Sequence, residues 1–220
     1  MSITCQCPAA TAIPDVPNMG CAQSFGQIQK VAFTRLRGAT GTLNGFIVNE
    51  SKGQIEKLES WETKLSATDG TKIVVSPFLY SPADSGGDVR MTGGGNDDLG
   101  GIPDVLGANP VQFAANMRSI PQAIAKALKQ LECEANAGNL GVFLFDENGN
   151  IEAIQDETTT TTYYPIPIRA LFIGDKIHGN YDAKDSNPIS WYYAENYSDN
   201  LTIVKPEFNP LTALENAKNS

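Results

Sequence analysis

The segment Asp146-Glu147-Asn148-Gly149-Asn150 lies between two apolar runs, residues 140–145 and 151–154. An Asn-Gly step between such runs is the strongest short-range signal for a two-stranded antiparallel hairpin. A lone hairpin is marginal in water, so its strands need further strands and a second layer to cover their apolar faces. Similar strand signals recur at 27–36, at 44–48 after the turn-rich Gly38-Ala39-Thr40-Gly41, and at 71–80, 164–172, 189–193 and 201–204. Within 71–80, Ile73, Val74, Val75, Phe78, Leu79 and Tyr80 put apolar groups on both faces, which predicts a strand buried on both sides. In 164–172, Tyr164, Ile166, Ile168, Ala170 and Phe172 alternate, while Pro165 and Pro167 share the other parity. Those prolines remove donors from one side only and predict an edge strand protected from uncontrolled pairing.

Helical signals are fewer. Ser119-Ile120-Pro121-Gln122 has the form of a capping box, and Ile120, Ile124, Leu128 and Leu131 follow at helical spacing, predicting a helix over 120–135 that stops at Gly138. Residues 54–65 stay open: Ile55, Leu58 and Leu65 allow a helical stripe, whereas Trp61 and Thr63 serve a strand equally well. The expected fold is α+β and mainly β, a β-sandwich or barrel of about seven or eight strands with one flanking α-helix and long arms or loops.

A chain of 220 residues with 41% apolar and 19% charged residues has material for one ordinary domain. Residues 25–205 form that domain. Residues 1–24, broken by Pro8, Pro14, Pro17 and Gly20, read as an extended N-terminal arm, and 206–220 as a polar, weakly helical C-terminal tail. Both ends are expected to reach onto a neighbour. Inside the domain, 81–109 is a long loop rich in glycine and aspartate. Ordering such a loop costs roughly 1–2 kcal/mol of backbone entropy per residue, a cost that contacts between subunits offset.

The residues offer little for catalysis. His178 is the only histidine and sits in a polar turn, with Asp175 the nearest acid in sequence. No nucleophile elbow or zinc-protease helix accompanies it, so no catalytic or cofactor-binding residue is assigned. The net charge of −9 disfavours tight binding of phosphates, although an acidic wall suits passive proximity to DNA. Gly93-Gly94-Gly95 is followed by Asp97 and Asp98, which repel phosphate. Those aspartates with Asp84, Asp88 and Asp104 offer calcium oxygen ligands without a fixed spacing, and Asp146, Asn148, Asn150 and Glu157 match four slots of an EF-hand loop. Ile151 stands where that loop needs glycine, so a hairpin turn is the preferred reading and no metal site is assigned. Cys5, Cys7 and Cys21, with Cys133 far away, read as reduced thiols rather than a zinc set. The run 158–162 is five threonines, which favours extended chain. Trp191, Tyr192, Tyr193, Tyr197 and Tyr181 suit packing of a sheet or interface, with sugar stacking as the alternative. No apolar run is long enough to span a membrane, and Met1-Ser2-Ile3-Thr4 lacks a secretory pattern, so a soluble protein made in the cytoplasm is expected.

The order of these features resembles virion structural proteins of tailed phages of Bacteroidetes-type bacteria. The resemblance is carried by the Cys/Pro-rich start leading into Phe25-Gly26-Gln27-Ile28-Gln29-Lys30-Val31-Ala32-Phe33, by Lys72-Ile73-Val74-Val75-Ser76-Pro77-Phe78, by the Gly-rich segment and helix, and by Tyr197-Ser198-Asp199-Asn200-Leu201. Within that group the chain is most similar to a major tail, or tail tube, protein. The resemblance implies a non-enzymatic virion tail subunit made in the bacterial host cytoplasm, which assembles with itself into homo-oligomeric, commonly hexameric rings. Those rings stack into a tube that passes DNA without tight binding and that joins other virion proteins but no membrane. It also implies that 81–109 and the N-terminal arm join one ring to the next, and that edge strands near Tyr164 pair within a ring. A head decoration, head–tail connector or fibre-base protein, or a carbohydrate-binding module built on the tyrosines, are the alternative readings. Deleting residues 1–24 is expected to leave a folded domain that no longer stacks; normal polymerisation of the truncated protein in electron micrographs would remove the role given to the arm.

Overall fold

A computed structural model describes residues 24–47, 54–97, 99–158 and 162–218. In chain order the strands are β1 (Ile28–Arg35), β2 (Phe46–Ile47), β3 (Ile73–Val75), β4 (Leu79–Ser85), β5 (Val89–Thr92), β6 (Asp104–Ala108) and β7 (Gln112–Arg118). They continue with β8 (Leu140–Asp146), β9 (Ile151–Gln155), β10 (Thr162–Tyr164), β11 (Ile166–Ile173), β12 (Ser186–Tyr193) and β13 (Leu201–Val204). The helices are α1 (Leu58–Leu65), α2 (Gln122–Lys129), α3 (Leu131–Asn136) and α4 (Pro210–Lys218). The protein is mainly β, as expected, but the described residues hold four helices rather than one. The described residues divide into two compact units, one within 25–86 and 110–218 and one within 87–109.

The larger unit is built around β8, buried on both faces at all seven positions. On one side β8 pairs with β1 along its length. Its other side is shared between β9, which returns through the predicted hairpin to pair at Leu144 and Phe145, and β11, which pairs at residues 140–142. From β11 the sheet continues through β12 and β7 to β4. It then curls back, because β4 is joined through Ser76-Pro77-Phe78 to β3, the other partner of β1. Ser76 fixes that join: its amide donates to the Val31 carbonyl at 2.8 Å and its hydroxyl accepts from the Val31 amide at 3.0 Å. The predicted continuous strand over 71–80 is therefore bent at residues 76–78. Its burial alternates, with Ile73 and Leu79 inside and Tyr80 39% exposed.

Alternate residues of β8 serve two cores. Leu140, Val142 and Leu144 join Val31, Phe33, Phe113, Met117, Ile166, Ile189 and Trp191 inside the curled sheet. Phe143 and Phe145 face the other way and meet Phe46, Trp61, Ile151, Val204 and Leu214 under α1 and α4. Residues 54–65 thus resolve as a turn followed by α1, because Trp61 is fully buried against Phe46, Phe143 and Phe145, with its indole N–H donated to the Ile55 carbonyl at 2.8 Å.

The predicted helix over 120–135 is two segments meeting at Gln130. Ser119 does not cap it: its φ is 51°, its amide donates to the Asp185 carbonyl, and Pro121 stands at the N-cap with no side-chain cap bond. Ala125 and Leu128 face the core, while Ile124 is 37% exposed. The predicted edge strand is two elements, and β11 is central, between β8 and β12. Pro167 lies opposite Gly141. A bulge at Ala170, with φ 50°, then shifts the parity, so Leu171 and Ile173 are buried and Phe172 is 57% exposed.

Residues 206–218 do not reach outward. Leu214 of α4 is fully buried, and Lys30 on β1, also fully buried, donates to the Leu211 carbonyl at 2.7 Å and to Glu215 at 2.9 Å. The same ammonium lies 4.0 Å from the centre of the Phe78 ring. A buried cation is costly without partners, and two of these, Leu211 and Glu215, are in place only when α4 is docked. Replacing Lys30 by Met keeps the volume but removes the charged hydrogen bond to the Leu211 carbonyl and the pairing with Glu215, with an expected cost of about 1–3 kcal/mol. Hydrogen exchange should show α4 amides losing protection first; an unchanged melt with α4 still protected would contradict the clamp.

Candidate assembly surfaces

Among the described residues, the smaller unit concentrates exposed apolar side chains in a short stretch of chain. The predicted loop 81–109 is in fact the end of β4, then the antiparallel hairpin β5–β6, with short 3-10 turns at Gly95–Asp97 and Leu99–Gly101. Gly107, at φ 136°, forms the bulge where the register shifts opposite Arg90 and Met91. Six large apolar side chains of this unit lie open: Val89, Met91, Leu99, Ile102, Val105 and Leu106, between 51% and 104% exposed. Burying such a side chain fully stabilises by roughly 1.5–3 kcal/mol, and concentrated exposure of this kind marks an interaction surface.

In the larger unit, one sheet face is uncovered. The registers of β4, β7, β12 and β11 place outward residues in rows: Tyr80, Asn116 and Pro188; then Ala83, Ala114, Ser190 and Phe172; then Ser85, Gln112, Tyr192 and Arg169. Each is at least partly exposed. Arg118 shares this parity and stacks on Tyr80 at 4.5 Å. The two arginines are the only charges among these positions.

The third surface is a cleft of about 580 Å³ beside α2, rimmed by Lys126, Lys129 and Lys176 and floored by Ile120, Ala125 and the buried Asn187. Lys129 pairs with Asp175, and Lys176 with Asp185. The spacing of Lys126 and Lys129 within the expected helix is the sequence signal for it.

The residues considered for chemistry are dispersed. His178 is 85% exposed and 4.0 Å from Asp185. Asp146 accepts from the amides of Gly26, Asn148 and Asn150 and from the Asn150 side chain, which together hold its carboxyl below the usual range against the opposing effect of burial. Those bonds tie the hairpin turn to the start of β1. Glu157 accepts instead from Asn200 at 2.9 Å, away from that turn. Among the described residues no group of three or more histidine, cysteine or carboxylate side chains is placed to hold a metal. Cys5, Cys7 and Cys21, Asp98 and residues 159–161 of the threonine run lie outside the described residues, and Thr162 belongs to β10. The aromatic group does not form one platform: Trp191 is buried and stacked on Phe113, Tyr193 is stacked on Tyr197, and Tyr181 stands free at the surface.

One carboxylate has an unusual setting. On β9, Ile151 and Ala153 face the α1–α4 side, so Glu152 faces the opposite side. Burial pushes its carboxyl up to about 7, with repulsion from Asp84 and Asp146 adding to the shift. Burial likewise raises the Asp84 carboxyl and the Tyr193 and Tyr197 hydroxyls. Since folding raises the Glu152 pKa above its ordinary value of 4.5, the folded state binds more protons between those values, and stability falls as pH rises through about 7. The melting temperature is expected to fall between pH 5 and pH 8, and Glu152→Gln to flatten that slope; parallel pH profiles for the two proteins would refute this.

No family model matches the chain, and no curated protein matches it. Among solved structures it is similar to the tail of an empty GTA particle, with TM-score 0.34 and 10% identity over 60% of this chain and 87% of that one. It is similar also to the baseplate of the anti-feeding prophage, with TM-score 0.34 and 8% identity over 86% of this chain and all of that one. A third likeness is to Hcp protein, with TM-score 0.21 and 15% identity over 74% of this chain and 88% of that one. These TM-scores are low, so function is read from the chain's own surfaces.

Proposed function

We propose that this chain is a non-enzymatic structural subunit of a tailed-phage virion, assembling with copies of itself into stacked rings that form a tail tube. The observation that carries the proposal is the β5–β6 unit, whose apolar side chains Val89, Met91, Leu99, Ile102, Val105 and Leu106 stand in water in the single chain. A soluble monomer gains nothing from that exposure, whereas burial against other subunits turns it into binding energy. Contacts between successive rings are the role given to this unit. The sequence resemblance to tail tube proteins supports the same reading.

The uncovered face of β4, β7, β12 and β11 suits the wall of a conduit. It is a row pattern of small, polar and aromatic groups whose only charges are Arg118 and Arg169. The net acidity of the chain therefore does not extend to this face, and DNA would pass a wall carrying two arginines and no acid rather than the acidic one expected from composition. Pairing within a ring through a strand near Tyr164 is not retained, because β10 and β11 already have partners on both sides.

The purified protein should form rings or tubes in negative-stain images. Leu99→Ser with Ile102→Ser, at exposed positions in and just after the second 3-10 turn, should leave the fold intact and reduce stacking sharply. Tubes of unchanged length and yield from that variant would refute the role of the hairpin.

A further inference from the structure

Helix α2 turns an unusual face outward. Its sequence contains two lysines and no acid, and the exposed positions beside Lys126 are Ala123, Ile124 and Ala127. A solvated helix face is ordinarily polar, whereas small apolar residues flanked by cations suit close approach of another helix. The adjoining cleft carries three cations, Lys126, Lys129 and Lys176, against Asp175 and Asp185, a net of 3 − 2 = +1 on a chain of −9. Lys126 makes no ion pair among the described residues.

On α1 the complementary arrangement appears. Glu59 and Glu62 are both exposed, lie three residues apart, and make no ion pair among the described residues. Lys126 and Lys129 have the same spacing, so each pair projects from neighbouring turns of one helix face, about 5–6 Å apart. The two helices also sit on opposite faces of β8. Ala125 and Leu128 of α2 share a core with Leu140, Val142 and Leu144, while Trp61 of α1 packs on Phe143 and Phe145. One subunit therefore cannot bring its own α1 and α2 together.

We infer that the α2 cleft is the docking site for the acidic face of α1 from a second copy of this chain, with Lys126, and Lys129 shared with its own partner Asp175, pairing across to Glu59 and Glu62. Because each copy offers one cleft and one acidic helix on opposite sides, the contact is head-to-tail, the type that builds a ring when the rotation between neighbours closes. This inference rests on the self-assembly proposed above and assigns the lateral contact that the β5–β6 unit does not.

The test is a charge swap on the full-length protein. Lys126→Glu with Lys129→Glu gives a variant acidic on both faces, and Glu59→Lys with Glu62→Lys gives one basic on both. Each should raise the concentration for half-assembly in sedimentation by about tenfold or more, since like charges then oppose across the contact. Combining all four substitutions, or mixing the two variants in equal amounts, should restore assembly. Thermal melts establish that each variant is folded, and Lys126→Gln, which introduces no new charge, should give a smaller shift in the same direction. Assembly unaffected by either reversal, or not restored by the combination, overturns the α1–α2 contact while leaving the structural-subunit proposal standing. A wild-type protein that stays monomeric at every concentration overturns both.

Discussion

Burial of β8 on both faces is the constraint from which the rest of the molecule follows. A strand with apolar groups on alternate sides needs two separate coverings. The curled sheet supplies one through Phe33, Phe113 and Trp191, and α1 with α4 supplies the other through Trp61 and Leu214. Pairing is equally demanding, because β8 accepts β1 on one side and divides the other between β9 and β11. Gly141 permits that division: a side chain there would meet Leu36 at 2.7 Å and Pro165 at 2.9 Å. A larger residue would push the β10–β11 corner away from the strand it has to pair with.

The second covering depends on a polar device. Lys30 lies on the β1 face that looks toward α4, and its ammonium is met by the Leu211 carbonyl, the Glu215 carboxylate and the Phe78 ring. These contacts come from segments far apart in the chain, so the C-terminal helix is secured to one of the earliest strands. Lys57 with Glu207 adds an exposed pair between the start of α1 and the approach to α4, worth little by itself.

What was legible in the sequence was local. The 146–150 turn, the strands on either side of it, and the mainly β class follow from side-chain alternation and turn chemistry. The features that were not legible depend on distant partners. Residues 54–65 are ambiguous until Phe46 and Phe143 fix Trp61 in the core. The strand after Pro165 looks like an edge because its prolines lack donors, yet Pro167 faces Gly141 and the Ala170 bulge reverses the later alternation. Lys30 reads as an ordinary surface residue in a strand pattern. The segment 87–109 looks like a loop because its glycines interrupt the apolar pattern, although Gly107 sits in a hairpin bulge. Its exposed apolar residues, the core of the candidate site, were present in the sequence but gave no sign of which side they face.

The account of function turns on whether the apolar groups of β5 and β6 meet water or other subunits. Hydrogen exchange of Val89–Thr92 and Asp104–Ala108, followed from dilute to concentrated protein, measures this directly. Self-assembly predicts fast exchange in the dilute protein and strong protection at concentrations where larger species sediment. Unprotected amides in this unit at every concentration, with the protein sedimenting throughout as a 23.6 kDa monomer, would contradict it.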